Sequence, residues 1–504
     1  MIHPNEHFVV DAGTYEDLLA TLEGGFSTRV DVESTRTETY YDTFDWRLYR
    51  KATQLVCRKQ GGIVATLRTA DGSIEGALSE LPRFLRDVPA GPLRDALGPL
   101  LSVRRLMPVV RVRRRPRTVR VLNEDGKMVA RVSADEIEAS APEARATWTP
   151  VAPCWTLRPL RGYDEDARAI GERLARLPNA RRDPRPDLDR ALTAIECEAV
   201  GRSSKFRLDL NGEEPAGVAV RRVLTKLIET VRLNEPGTLA DLDSEFLHDF
   251  RVAVRRTRSC IGQMKTTLPT DRIEPFKQEF AWLGEITGPT RDLDVFLIDL
   301  DRWSDDDEAW APLLNLVQRD QRSEQKKMAA RLATRRYRRL LVDWPAFLDE
   351  QPVAGEAPEA DRPIVEAASD RIARKYSRMV ARGLKLDARR ATGALHRLRI
   401  EGKKLRYLLE FFRSTFPAET VTPAIGALKR LQDNLGEFND LQVQQATLPV
   451  LAQRLEAKQR VPAGTFLLIG RLLEQLARRE RAVRREFRSE FKHFASDEFA
   501  RLIR

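Results

Sequence analysis

HDFRVAVRRTRS at residues 248–259 and HRLRIEGKKLRY at residues 396–407 are one pattern written twice, 148 residues apart. In each copy a histidine is followed by basic residues at i+3, i+7 and i+10: Arg251, Arg255 and Arg258 after His248, and Arg399, Lys403 and Arg406 after His396. At about 100° per residue, each set of four falls within a sector of about 80°, so each stretch predicts a helix carrying one basic stripe. Phe246, Leu247, Phe250, Val254 and Ile261 fill the adjoining sector of the first helix, and Leu395, Leu398, Leu405, Leu409 and Phe412 that of the second. Both helices are therefore expected to lie against an apolar core. A second block keeps the spacing, since Leu283 aligns with Leu431 and Asp292-Leu293 with Asp440-Leu441. Two blocks at one offset read as a duplicated helical unit.

A solvated helix face mixes charge signs, because opposite charges at i,i+4 stabilise a helix and like charges oppose it. These stripes carry one sign only, which points to an anionic partner. Arginine suits phosphate because its planar fork donates two parallel hydrogen bonds, while lysine acts as a mobile point charge. Four positions spanning about 15 Å of helix reach several successive phosphates. Tyr407 is the one aromatic beside the stripes, so the stacking that unpaired bases require is not evident. Neither histidine has a Glu or second His at ligand spacing, which argues against a metal. Lys226, Arg256, Arg374 and Lys404 are secondary basic candidates, with Arg222, Arg371 and Arg378 nearby. Arg291, Asp292 and Asp294 fall where a helix is expected to begin, with Thr290 or Asp292 as its cap, and a role in orienting the stripe arginines by ion pairing is the equal alternative.

Outward from the repeat, the texture changes. Residues 1–200 hold short period-two runs, among them QLVCRK (54–59), VATLRT (64–69), VVRVRRR (109–115) and KMVARVSADE (127–136). Gly61-Gly62 and Asp125-Gly126 supply turns, so this part predicts an antiparallel sheet of hairpins. Arg111, Arg113 and Arg115 share one face of their strand, with Arg58 and Arg68 as possible companions. Residues 201–214 read as a linker and 215–504 as helical, in halves 215–349 and 364–504 around a Pro-, Gly- and Ala-rich linker at 350–363. The fold class expected is α+β, with the sheet region first.

The 504 residues carry 86 Lys+Arg against 75 Asp+Glu, a formal charge of +11 with a pI near 9.6, and 42% are hydrophobic. That composition is globular and fits about three compact units. Cys57, Cys154, Cys197 and Cys260 lack metal or redox spacing and read as inert thiols. With no apolar run of spanning length and no leader pattern, the chain is expected to be cytoplasmic, without membrane contact.

HDFRVAVRRTRS (248–259), GPTRDLDVF (288–296), LHRLRIEGKKLRYLLEFF (395–412) and LKRLQDNLGEFNDLQV (428–443) resemble a CHAD domain. The resemblance implies two pseudo-symmetric helical bundles around a basic channel that binds inorganic polyphosphate. It also implies residence on polyphosphate granules beside granule proteins, with the two stripes as ligand contacts. Tyr40-Tyr41-Asp42-Thr43, Leu48 and Leu55 to Arg58 before Gly61-Gly62 resemble a CYTH domain, which implies an antiparallel β-barrel of the triphosphate tunnel type; Ser204-Lys205 stands near the join of such pairs. Active CYTH members open with an ExExK strand that holds a divalent cation. Here His3, Asn5 and His7 precede Phe8, and Thr156-Leu157-Arg158 stands where a second acidic strand is expected. A degenerate barrel follows, with no catalytic residue or metal ligand assigned and Arg58, Arg68, Arg111 and Arg113 as residual anion contacts. Mg or Mn chemistry, with Glu6 or Asp11 contributing, belongs to the alternative reading of a triphosphatase or polyphosphatase. A nucleic-acid-binding scaffold is the second alternative.

Overall fold

The computed structural model describes the chain apart from residues 1–5, 11–14, 33, 60, 145–146, 178–179, 184, 200–205, 305–307, 351–352, 354, 387–391, 458–460 and 497–504. His3, Asn5, Asp11, Ser204 and Lys205 thus lie outside the described residues. The chain divides into two compact units, Met1–Ser203 and Ser204–Arg504.

In the first unit the alternating runs become β1 (Glu6–Val10), β2 (Ser27–Val32), β3 (Arg36–Thr43), β4 (Gln54–Lys59), β5 (Ile63–Thr69) and β6 (Gly72–Leu78). They continue as β7 (Leu106–Arg115), β8 (Arg117–Leu122), β9 (Met128–Ser140), β10 (Thr149–Pro150), β11 (Cys154–Pro159) and β12 (Ala180–Arg182). The antiparallel path runs β12-β1-β11-β9-β7-β3-β4-β5-β6, with β8 joining β9 to β2 and β10 pairing β9. This order is open, which corrects the expected barrel: among the described residues β12 and β6 end the path without meeting. Helix α2 (Pro92–Leu101) lies against β6 instead. A Cβ on Gly76 would sit 2.8 Å from Leu93 Cδ2, so glycine there lets the helix pack close to the last strand.

Helices α1 (Tyr15–Glu23) and α3 (Asp164–Ala175) bury Leu18, Leu22, Ile170 and Leu174 against Phe8, Val119, Trp155 and Leu157. Helix α4 (Asp187–Ala194) sets Leu188, Ala191 and Leu192 against Tyr40, Val110 and Val112. Cys57, Cys154 and Cys260 are buried free thiols, and burial pushes Cys57 up to about 12 and Cys154 to about 11.

The second unit is helical: α5 (Ala216–Leu239), α6 (Ser244–Gln263), α7 (Thr270–Ile286), α8 (Gly288–Trp303), α9 (Ala311–Leu332) and α10 (Arg335–Asp349), then α11 (Ile364–Leu384), α12 (Thr392–Phe411), α13 (Ala418–Glu456) and α14 (Ala463–Phe494). The starts of α5, α6 and α7 recur 148 residues later as those of α11, α12 and α13. Helix α13 fuses the counterparts of α7 and α8, because Gly288-Pro289 opens a new helix where Gly436-Glu437 continues one. Backbone bonds exchange across the pseudo-two-fold axis: Ala216 N donates to Arg362 O (2.8 Å) and Ile364 N to Glu214 O (3.0 Å). One step further out, Gly217 N donates to Ala360 O (2.8 Å) and Val365 N to Gly212 O (3.0 Å). Every partner in this set is matched by the same offset. Residues 355–363 are tied to the helices, since Arg221 Nη2 pairs with Glu356 at 2.8 Å and Glu359 meets Thr266 and Arg371. No helix among the described residues is long and apolar enough to cross a membrane.

Candidate functional site

Helix α6 begins where Asp243 accepts from the backbone N–H of Glu245 (2.9 Å) and Phe246 (3.2 Å), an N-cap that fixes its start. Phe246, Leu247, Phe250, Val254 and Ile261 are all buried, which turns the basic stripe away from the core. On α12, Leu395, Leu398, Leu405 and Leu409 do the same. The two helices run antiparallel: Arg255 Nε donates to Tyr407 Oη at 2.8 Å, Arg256 pairs with Glu410, and Gln263 Nε2 donates to Lys404 O at 3.0 Å. The stripes therefore join into one track, with His248 and His396 toward opposite ends and Arg255, Arg399, Lys403 and Arg406 near its middle.

The first-half arginines are aimed mainly by neutral groups. Arg251 Nη1 donates to Gly284 O and to Thr287 Oγ1, both at 2.8 Å, and Arg255 to the Tyr407 hydroxyl. Arg258 passes over α7 where a Cβ on Gly284 would lie 3.0 Å from its Nη1. Such partners orient a guanidinium without neutralising it. In the second half Arg399 lies 3.5 Å from Asp440 and Arg406 3.3 Å from Glu410, the carboxylate that Arg256 also uses. Burial, then Arg255 and Arg399, holds the Lys403 ammonium down at about 7. Burial also lowers Arg251, whose neighbours include Asp292, Arg255, Arg291 and Arg258, and lowers Arg399 beside Asp440 and Arg255. Like charges thus crowd the track, and an anion there would relieve the crowding.

The histidines are held by matched positions. His248 Nδ1 meets Arg291 Nη2 at 3.0 Å, and His396 Nδ1 meets Asn439 Oδ1 at 2.7 Å, both 43 residues on. Arginine only donates, so His248 Nδ1 accepts and the proton of the neutral ring sits on Nε2. Arg291 also donates to Ser244 O at 2.8 Å. It is a positioning residue for His248, a role its sequence position beside a helix start did not reveal. The N-cap position of α8 is Thr287, three residues before Thr290 and five before Asp292. Among the secondary candidates, Lys226 pairs with Glu229 (2.9 Å), Arg374 donates to Asp370 O (3.0 Å), and the Lys404 carbonyl ties α12 to α6.

In the sheet unit the four arginines named from the sequence meet protein groups. Arg58 pairs with Glu75 (3.1 Å), Arg68 reaches Tyr40 Oη (3.4 Å) and Glu38 (3.8 Å), and Arg113 pairs with Glu138 (3.1 Å). Arg111 donates to Ser140 Oγ at 3.1 Å and, with Arg113, lies against the Trp148 ring. The buried cation of β7 is Arg114, which shares its face with Val110 and Val112. It reaches Asp135 and Asp187 at 2.6 Å and Glu38 at 3.9 Å. An arginine in register with core valines was the available signal for it. β1 pairs with β11, setting His7 opposite Thr156, with their side chains 3.1 Å apart. Glu6 pairs with Arg182 at 3.1 Å. Among the described residues no group of three or more His, Cys, Asp or Glu is arranged to hold a metal ion.

Residues 222–449 are a CHAD domain, matched by that family's model. An antiparallel sheet precedes it in the chain. A solved relative, the CHAD domain from the plant Ricinus communis, is 26% identical with a TM-score of 0.50, covering 57% of this chain and 95% of its own. Uncharacterized protein Rv2226 of Mycobacterium tuberculosis is 26% identical over 215 residues, 39% of this chain. The match spans 40% of that relative's length. A more remote solved structure, a Bacillus halodurans protein provisionally assigned as an adenylate cyclase, is 17% identical with a TM-score of 0.25, over 38% of this chain and 96% of its own.

Proposed function

We propose that the protein binds inorganic polyphosphate along the joined stripes of α6 and α12, and that it resides on polyphosphate granules. The observation that carries this reading is the middle of the track, where Arg255 is aimed by a hydroxyl while Arg399 and Lys403 crowd it with like charge. A chain of closely spaced phosphates would supply the missing counter-charge through charge-assisted hydrogen bonds, and added salt would weaken it. The reading is one of binding, without turnover. The sheet's carboxylates, buried Glu38 and half-buried Asp135 and Asp187, gather around Arg114, so a divalent cation would have to displace a guanidinium. The test is calorimetry with long-chain polyphosphate and with duplex DNA of equal charge at matched salt. Tighter binding of polyphosphate is expected, and equal or tighter binding of DNA would overturn the assignment.

Lys403 adds a second measurement. Near pH 8 a lysine held at about 7 is mostly neutral, and a bound polyanion favours its protonated form. Binding at pH 8 should therefore take up close to one proton per site, read from calorimetry in buffers of different ionisation enthalpy. The Lys403→Arg variant should bind without that uptake, because arginine is charged throughout. For stability the sign is opposite to that of an ion-paired lysine. Since the folded value lies below the unfolded one, the unfolded chain binds more protons between them, and the fold gains stability as pH rises through 7.

A further inference from the structure

A cleft of about 490 Å³ lies on another side of the second helical half, between the end of α6, the segment before α11, and α11. Its lining holds Lys265, Arg371, Arg374, Lys375 and Arg378, with Glu359 as its one carboxylate. Arg371 is the floor: it is 9% exposed, its Nε donates to Gln263 O (3.0 Å) and its Nη1 to Ala367 O (2.8 Å), while Nη2 meets Thr266 and Glu359. Glu359 is engaged by Thr266, Arg371 and Arg362, and Lys375 by Glu401 at 3.0 Å. That leaves Lys265, Arg374 and Arg378 with no carboxylate partner among the described residues. Arg374 and Arg378 are also an i,i+4 pair of like charges, which a helix does not favour for its own sake.

The cleft is not part of the duplicated track. Glu401 and Leu408, the points of α12 that face α11 and the cleft, lie about 140–160° around that helix from Lys403. At the 148-residue offset Arg371, Lys375 and Arg378 match Val223, Leu227 and Thr230, two of them buried in the core, while Arg374 matches Lys226 and Lys265 matches Arg413. The cleft's floor Arg371 and its Lys375 and Arg378 therefore belong to this half alone, whereas every basic position of the stripes is basic in both. No aromatic side chain lines the cleft among the described residues, so a nucleobase has nothing to stack on. The volume suits a compact ligand.

We infer that this cleft is a second, independent anion site that takes a short inorganic phosphate chain, with Lys265, Arg374 and Arg378 as its ligand contacts and Arg371 as its fixed floor. Inorganic tripolyphosphate is the probe, titrated calorimetrically into the full-length chain carrying Arg255→Glu and Arg399→Glu, so that the track is disabled. Saturable 1:1 binding is expected to persist there, and adding Arg374→Glu with Arg378→Glu should weaken it at least tenfold. The neutral pair Arg374→Gln and Arg378→Gln should give an intermediate loss. Absence of saturable binding in the track-disabled chain, or unchanged affinity after charge reversal in the cleft, would overturn the inference. Tripolyphosphate binding in a wild-type chain that ignores long polymer would sink the track and leave the cleft standing.

Discussion

Reversing Arg255 and Arg399 together, as Arg255→Glu with Arg399→Glu, is expected to remove the tight, track-borne binding of long-chain polyphosphate, leaving at most the weaker binding of the cleft, while the fold stays intact. Each arginine contributes a charged hydrogen bond of about 1.5–3 kcal/mol. Losing both weakens binding by about 10²–10⁴-fold before the repulsion from two new carboxylates is counted. The residues come from different helices and neither belongs to the core, so circular dichroism of the double variant should match that of the parent. Stability should hold or rise, because reversal removes like charges from around Lys403. Unchanged affinity in the folded double variant would exclude the track as the binding surface.

The second large effect is in the sheet unit. Arg114→Met is expected to destabilise that unit by about 2–4 kcal/mol, because it removes the shared cation from buried Glu38 and half-buried Asp135 and Asp187, with Arg36, Arg68 and Arg190 left to compensate in part. Glu38 is fully buried, and Asp135 and Asp187 each lie 2.6 Å from the guanidinium. Burial pushes the Asp187 carboxyl up, but Arg114 and Arg190 together hold it below its ordinary range. In the parent, this ion pairing supports the fold above the ordinary carboxylate range and is lost as pH falls through the lowered folded value. In the variant, burial without Arg114 would favour protonated carboxyls, so the folded form would take up protons and recover as pH falls. Urea unfolding of parent and variant from pH 8 down to pH 5 should therefore show the gap narrowing. A constant gap, or none, would mean that Arg114 is not the charge that holds these carboxylates.

The parts of this architecture that were legible are those set by local periodicity. A basic residue every three or four positions and an apolar sector beside it define α6 and α12 without reference to any other part of the chain. The common offset then pairs them. It also carries Asp292-Leu293 onto Asp440-Leu441, and through their neighbours it pairs Arg291 with Asn439, the groups that hold the two histidines. What was hidden depends on tertiary contact. Whether β12 and β6 meet depends on contacts between strands far apart in the chain, and period-two patterning describes strand faces without saying whether the ends of a sheet join. Arg114 was overlooked because its neighbours Arg111, Arg113 and Arg115 form the more conspicuous row. Its importance comes from Asp187, 73 residues away on α4. The cleft beside α11 was visible only as scattered arginines, since Lys265 and Arg371 meet through the packing of two helices and a connecting segment.

The exchanged bonds from Gly212, Glu214, Ala216 and Gly217 to their counterparts 148 residues on set an approximate dyad between the helical halves. The track that crosses this dyad reads nearly the same from either end. Inorganic polyphosphate is a chain without direction, identical when reversed, so under the proposed function either orientation would meet a histidine and basic residues at the same spacing. A nucleic acid strand has a 5′ and a 3′ sense and would present itself differently to the two halves. The duplication thus matches the symmetry of the polymer as well as its charge.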